Sequence, residues 1–213
     1  QGITFLLLDM DLPGISVEPI VFASGTHEVN QVFFDDVRVP IANIVGEINQ
    51  GWSVAKYLLE FERGGGGTAA QQSALDRVRQ LAGSITTDAG TLLDDREFKT
   101  RLDATAIELQ AVQYTELRIM AALSRGQNPG PESSIMKNLG ANLGQRITEL
   151  ALEAVGNYIV PHQPWQPGSN DLPVGPSAGT MAMPRYFNLR ASSIAGGSNE
   201  VQKNIVAKLV LGL

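Results

Sequence analysis

Two glycine clusters hold the residues best placed for chemistry. Glu62-Arg63 runs directly into Gly64-Gly65-Gly66-Gly67, and Gly196-Gly197-Ser198-Asn199 precedes an amphipathic run. Glycine in or beside a helix costs roughly 1 kcal/mol against alanine. Four in a row therefore mark either backbone that must approach something closely or a plain turn between two helices. The second cluster reads as a turn with Ser198 as helix N-cap. The less favoured reading is an anion site, in which free N–H groups and the helix dipole face a phosphate.

Residue type excludes several other chemistries. Cysteine is absent, which removes disulfides, thiolate metal sites and cysteine nucleophiles. His27 and His162 stand far apart and neither follows a Glu by three residues, so a di-metal helical bundle is not expected. There is no Gly-x-Ser-x-Gly, and Gly197-Ser198-Asn199 lacks a nearby histidine. No Gly-Lys-[Ser/Thr] occurs, so a P-loop is absent.

The elements that must position the two clusters divide into an extended front and a helical back. Residues 3–8 form an apolar run of strand length, and Asp11-Leu12-Pro13-Gly14 is a turn. Residues 15–20 alternate with period two, residues 29–34 are β-branched and aromatic, and Pro40 closes the strand region. Three antiparallel strands stand only with a covered face. From Gly51 the period becomes helical: Trp52, Ala55, Leu58 and Leu59 share a face. So do Phe98, Leu102, Ala106, Leu109, Val112 and Ile119; then Ile135, Leu139, Leu143, Ile147, Leu150 and Ala154; then Val201, Ile205 and Leu209. The spacing predicts four long helices over residues 50–82, 94–125, 131–156 and 185–210, the last with a possible break at Gly196-Gly197. Between Pro161 and Pro184 the prolines at 164, 167, 173 and 176 predict a long non-helical connection. The pattern is that of a four-helix bundle with one long crossover.

The chain has 213 residues, 43% apolar and 18% charged, a folded composition of one to two domains. Its net charge of −6 argues against nucleic acid or an anionic membrane surface as the main partner. No apolar run approaches the roughly 18 residues of a membrane span. The opening Gln1-Gly2-Ile3-Thr4-Phe5 has no initiator Met and no basic segment, and reads as a strand already in progress. We therefore expect a longer protein cut before this strand, against the alternative of a natural processed start. Lack of cysteine and of a signal suits a cytoplasmic setting.

Two motifs carry a family resemblance. Val32-Phe33-Phe34-Asp35-Asp36-Val37-Arg38-Val39-Pro40, Asn43-Ile44-Val45-Gly46-Glu47 and Gln50-Gly51-Trp52 resemble the sheet-to-helix junction of acyl-CoA dehydrogenases. Ser193-Ile194-Ala195-Gly196-Gly197-Ser198-Asn199-Glu200-Val201-Gln202-Lys203-Asn204-Ile205 is similar to their last-helix motif. The resemblance implies an α+β fold, with residues 1–48 ending a middle β-domain and residues 49–213 forming the C-terminal four-helix domain. It implies a flavoprotein of fatty acid metabolism that oxidises an acyl-CoA to the 2,3-enoyl-CoA. FAD is the implied cofactor, and an electron-transfer flavoprotein is the implied acceptor. A carboxylate takes the α-proton while a hydride leaves Cβ for the flavin, which needs a carboxyl pKa raised in a water-poor site.

Many members carry that carboxylate in the loop before the last helix, where this chain has Gly196. Others place it at the end of the first long helix before an Arg, which maps it to Glu62, followed by Arg63. The plain alternative for Glu62 is a solvated helix carboxylate paired to Arg63 or Lys56. The resemblance also assigns substrate contacts to Glu60 and Arg63. It assigns flavin contacts to the motif of Gly196, Gly197, Ser198 and Glu200, and maps a Gln-x-x-Gly-Gly flavin motif to Glu153 and Gly156. Departures are plain: Thr86-Thr87-Asp88-Ala89-Gly90 stands for Arg-x-x-Phe-Gly, and Glu153-Ala154-Val155-Gly156-Asn157 stands for Gln-x-x-Gly-Gly. A base on the first helix with an altered cross-subunit flavin grip resembles one half of a hetero-oligomer, of the large-subunit pimeloyl-CoA type. Three readings follow: a dehydrogenase using Glu62, a catalytically silent partner subunit, and a helical assembly module. Apolar stripes left over by the helices predict a homo- or hetero-oligomer, dimer or tetramer, through the helical domain.

Overall fold

The structure is a computed structural model that describes residues 2–62, 67–88, 90–127, 130–163, 168 and 170–213, with the side chains at 60–62 outside it. The chain forms two compact units.

The first unit holds two antiparallel strand pairs and one helix. Strand β1 (Phe5–Leu6) pairs with β4 (Ile44–Val45), and β2 (Ile15–Val21) pairs with β3 (His27–Phe34). The hairpin register runs from Ile15 opposite Phe34 to Val21 opposite His27, with an irregularity at residues 20 and 21. The expected strand over residues 3–8 is thus only two residues long. The strands form separate pairs rather than one three-stranded sheet. Each pair leaves apolar side chains exposed, including Val17, Ile20, Val29 and Phe33.

Helix α1 (Gly51–Glu62) starts directly against β1. The Gly51 N–H donates to the Ile3 carbonyl at 2.7 Å. A Cβ at Gly51 would lie 2.5 Å from the Phe5 nitrogen, so only glycine lets the strand backbone come this close. Asn49 adopts the left-handed conformation (φ 68°), and its N–H donates to Thr4 Oγ1 at 3.0 Å. This close approach accounts for Gly51 of the junction motif.

The second unit is helical: α2 (Thr68–Ser84), α3 (Arg96–Leu123), α4 (Glu132–Val155), α5 (Ala182–Leu189) and α6 (Asn199–Leu209). Helices α2, α3 and α4 pack against one another, while α5 and α6 lie on α4. Their shared core contains Leu75, Val78 and Leu81 of α2, Phe98, Leu102 and Leu109 of α3, and Leu143, Ile147 and Leu150 of α4. A short hairpin, β5 (Thr86–Thr87) with β6 (Gly90–Thr91), links α2 to α3.

The helix boundaries differ from expectation in two places. The helix expected over residues 50–82 is two helices, α1 and α2, and residues 63–66 lie outside the described residues. Helix α1 groups with the strands by compactness, and the described residues do not by themselves show the expected four-helix bundle. The helix expected over residues 185–210 has the break allowed for at Gly196-Gly197 and a further one after Leu189, giving α5, a 3-10 turn (Arg190–Ser193) and α6. Two left-handed glycines cannot continue a right-handed helix.

The apolar stripe expected in α6 is largely exposed in this chain. Val201 and Leu209 are exposed, and the buried residues of α6 are Asn199 and Gln202. Likewise Trp52, Leu58 and Leu59 of α1 are exposed. The proline-rich connection is shorter than expected, since a 3-10 turn forms at Ser177–Gly179 and α5 takes in Pro184 in its first turn.

Candidate functional site

The glycine turn before α6 is built by residues from two directions. Gly196 and Gly197 both have positive φ, 68° and 88°. A Cβ on Gly197 would meet Gln202 Nε2 at 2.5 Å, whereas one on Gly196 would meet nothing within 4 Å. Gln202 folds back from α6 and donates to the Gly196 carbonyl at 3.3 Å. Gly196 therefore presents bare backbone to open space. Among the described residues, the N–H groups of residues 196–198 make no hydrogen bond.

Ser198 is the N-cap of α6, its Oγ accepting from the Val201 N–H at 3.3 Å. The Glu200 carboxylate is held below its ordinary pKa by its own backbone N–H, by Ser198 and by nearby lysines at 203 and 137. Ser198 and Glu200 thus satisfy the first N–H groups of the helix themselves. A phosphate lying on the axis of α6 would meet the Glu200 charge. The open backbone at residues 196–198 remains for a neutral, hydrogen-bonding group.

Asn199 starts α6 and is 7% exposed. Its Oδ1 accepts from Lys137 Nζ at 2.9 Å, and its Nδ2 donates to Asn142 Oδ1 at 3.2 Å. On the other flank of the turn, Gln145 Nε2 donates to the carbonyls of Leu189 and Arg190 at 3.2 and 3.3 Å. The Arg190 guanidinium bonds Glu149, Thr148 and the Gln145 carbonyl, and lies 4.3 Å over the Tyr186 ring. Sequence reasoning missed these α4 residues. Their signal was polar side chains on the helix surface beside the apolar stripe of residues 135–154.

The remaining expected site residues are placed elsewhere. Glu62 is the last residue of α1 and Glu60 lies two residues earlier in it. Arg63 falls outside the described residues. Glu153 is not grouped with the glycine turn: it pairs with Arg101 of α3, whose guanidinium it holds above the ordinary arginine range. Gly156 is the C-cap of α4 with φ 61°. The stretch standing for Arg-x-x-Phe-Gly folds into the β5–β6 hairpin. It is locked by a capping box in which Asp94 accepts from the Thr91 N–H (2.8 Å) and hydroxyl (2.9 Å). Among the described residues no cluster of three or more metal-ligating groups occurs. No described helix is long and apolar enough to cross a membrane.

Comparison with known proteins covers the same ground independently. Residues 49–211 match the family model described as acyl-CoA dehydrogenase, C-terminal domain. The whole chain is 36% identical to the acyl-CoA dehydrogenase IpdE1 of Mycobacterium tuberculosis, over 51% of that protein. It is 32% identical to IpdE1 of Mycolicibacterium smegmatis, over 49% of that protein. The chain thus spans about half the length of these relatives. Among solved structures, the ChsE4–ChsE5 complex of Mycobacterium tuberculosis superposes with a TM-score of 0.81. That match has 25% identity and covers 99% of this chain and 53% of that one. On these matches, this chain belongs to the acyl-CoA dehydrogenase family.

Proposed function

We propose that this chain is the C-terminal half of an FAD-dependent acyl-CoA dehydrogenase, with Glu62 as the base. Residues 1–48 would end its middle β-domain and residues 49–213 would form its C-terminal domain. The observation that carries the placement of the base is Gly196. The position that bears a carboxylate in many relatives has no side chain here, and its backbone is in a conformation that disfavours one. Glu62, at the end of α1 and followed by Arg63, is the other position the family uses.

Glu62 would accept the α-proton of the thioester. Bound flavin would supply the acceptor for the hydride leaving Cβ. Desolvation beside bound acyl chain and cofactor would raise the carboxyl pKa toward the operating pH. Glu60 and Arg63 would contact the substrate. The residues that would hold the cofactor are the open backbone of Gly196 and Gly197, with Ser198 and Glu200 behind it. The bare, unbonded turn supports this fit. The pairing of Glu153 with Arg101 and the self-contained β5–β6 hairpin leave Glu153 and Gly156 as the weaker part of the assignment. An electron-transfer flavoprotein as acceptor, a cytoplasmic setting, and a homo- or hetero-oligomer through the helical domain complete the reading. The similarity to a two-component complex favours a second form of it, in which the chain is the silent member of an unlike pair.

The test uses the full-length parent, purified with any co-encoded homologue. Acyl-CoAs are added anaerobically and flavin absorbance is followed in wild type and Glu62→Gln. Loss of bleaching by at least about a thousandfold in rate, with flavin retained, is the expected result. Unchanged bleaching in Glu62→Gln would assign the base to the partner subunit.

A further inference from the structure

Helix α4 holds the glycine turn on both flanks with polar side chains. Asn142, Gln145 and Glu149 step by three and four residues and share a face of the helix, and Lys137 lies further round it, five residues before Asn142. Lys137 and Asn142 reach the start of α6, while Gln145 and Glu149 reach the segment that enters the turn. We propose that Lys137 is a positioning residue: through Asn199 it fixes where the turn at residues 196–198 stands along α4, and thereby sets the affinity for flavin. The second clause rests on the flavin reading above.

The chemistry of the contact supports a positioning role over simple packing. Apolar groups would fill a helix seam at lower desolvation cost than an ammonium and two amides. Burial holds the Lys137 ammonium below the ordinary lysine range, only partly offset by the charge of Glu200. The Asn199 amide is used at both ends, its oxygen by a group that can only donate and its nitrogen by the Asn142 oxygen. That polarity admits one orientation of Asn199, so the first residue of α6 has one position on α4. Gln202 carries the constraint back into the turn through its bond to the Gly196 carbonyl. None of these side chains fills the open space outside Gly196, so Lys137 acts on the turn without blocking it.

The experiment compares wild type, Lys137→Met, Lys137→Arg, Asn199→Ala and the Lys137→Met/Asn199→Ala double variant in the full-length protein. Amide hydrogen exchange is read without flavin at the hydrogen-bonded amides of residues 194, 195, 201 and 202, and FAD affinity is read by flavin fluorescence. Both are measured well below each variant's thermal midpoint. Lys137→Met is expected to speed exchange at the turn and weaken FAD binding about tenfold, with Lys137→Arg within about threefold of wild type. The double variant is expected to be no worse than the worse single variant, the signature of one residue acting through the other. Unchanged exchange in Lys137→Met, or losses that simply add, would overturn the proposal. Faster exchange with unchanged FAD affinity would overturn the flavin role of the turn. A wild type that binds no FAD would sink the functional reading, and exchange would still decide the pin.

Discussion

At the scale of single residues, the two glycines before α6 are not equivalent. Both are left-handed, which costs an L-residue roughly 1–2 kcal/mol. Only Gly197 also faces a side chain, Gln202 at 2.5 Å from an added Cβ. Gly196→Ala should therefore lower stability by about 1 kcal/mol. Gly197→Ala should lower it by about 2 kcal/mol or more, since Gln202 must also give up its bond to the Gly196 carbonyl. Urea unfolding of the two variants checks the order, and equal losses would contradict it. The sequence flagged both glycines, but the difference between them depends on where a residue five positions later folds back. Ser198 was legible as an N-cap from its type and place, because the cap is a local bond. Lys137 and Asn199 were not, because their partners are 62 positions apart.

At the scale of elements, helix ends follow local chemistry and helix continuity does not. Asp95 caps α3, its Oδ1 accepting from the Phe98 N–H at 2.8 Å. Asp95→Ala should cost about 1 kcal/mol in thermal or urea unfolding, and Asp95→Asn much less. The stripes of α3 and α4 were readable because Phe98, Leu102, Leu109, Leu143, Ile147 and Leu150 meet in one core. In α6 the expected stripe residues Val201 and Leu209 are exposed, and the buried residues are Asn199 and Gln202. Periodicity reports an apolar face; it does not report which face a neighbouring helix chooses when its own surface is polar. The glycine run at residues 64–67 was readable as a turn between two helices, and the division into α1 and α2 agrees with that reading.

At the scale of the whole molecule, acid stability should carry the mark of two end-capping carboxylates. Asp94 and Glu200 are both held below their ordinary values of 3.8 and 4.5 by hydrogen bonds at helix starts. A lowered folded pKa means that the folded state binds fewer protons than the unfolded one as the pH falls. Their contribution is therefore complete above the ordinary values and is lost as pH drops through the folded ones. The thermal midpoint of the wild type should fall more steeply below about pH 4 than that of Asp94→Asn or Glu200→Gln, and parallel curves would contradict this. Both groups lie at the surface, so the effect is modest and shrinks with added salt. The sequence by itself determined the strand-rich front and helical back, the Ser198 cap, the glycine turn and the family, because each is written in contiguous residues. Only the tertiary structure decided that Glu153 pairs with Arg101 and that polar side chains of α4 hold the turn. Those outcomes depend on which distant groups satisfy buried donors and acceptors, and hydrophobic spacing carries no record of that choice.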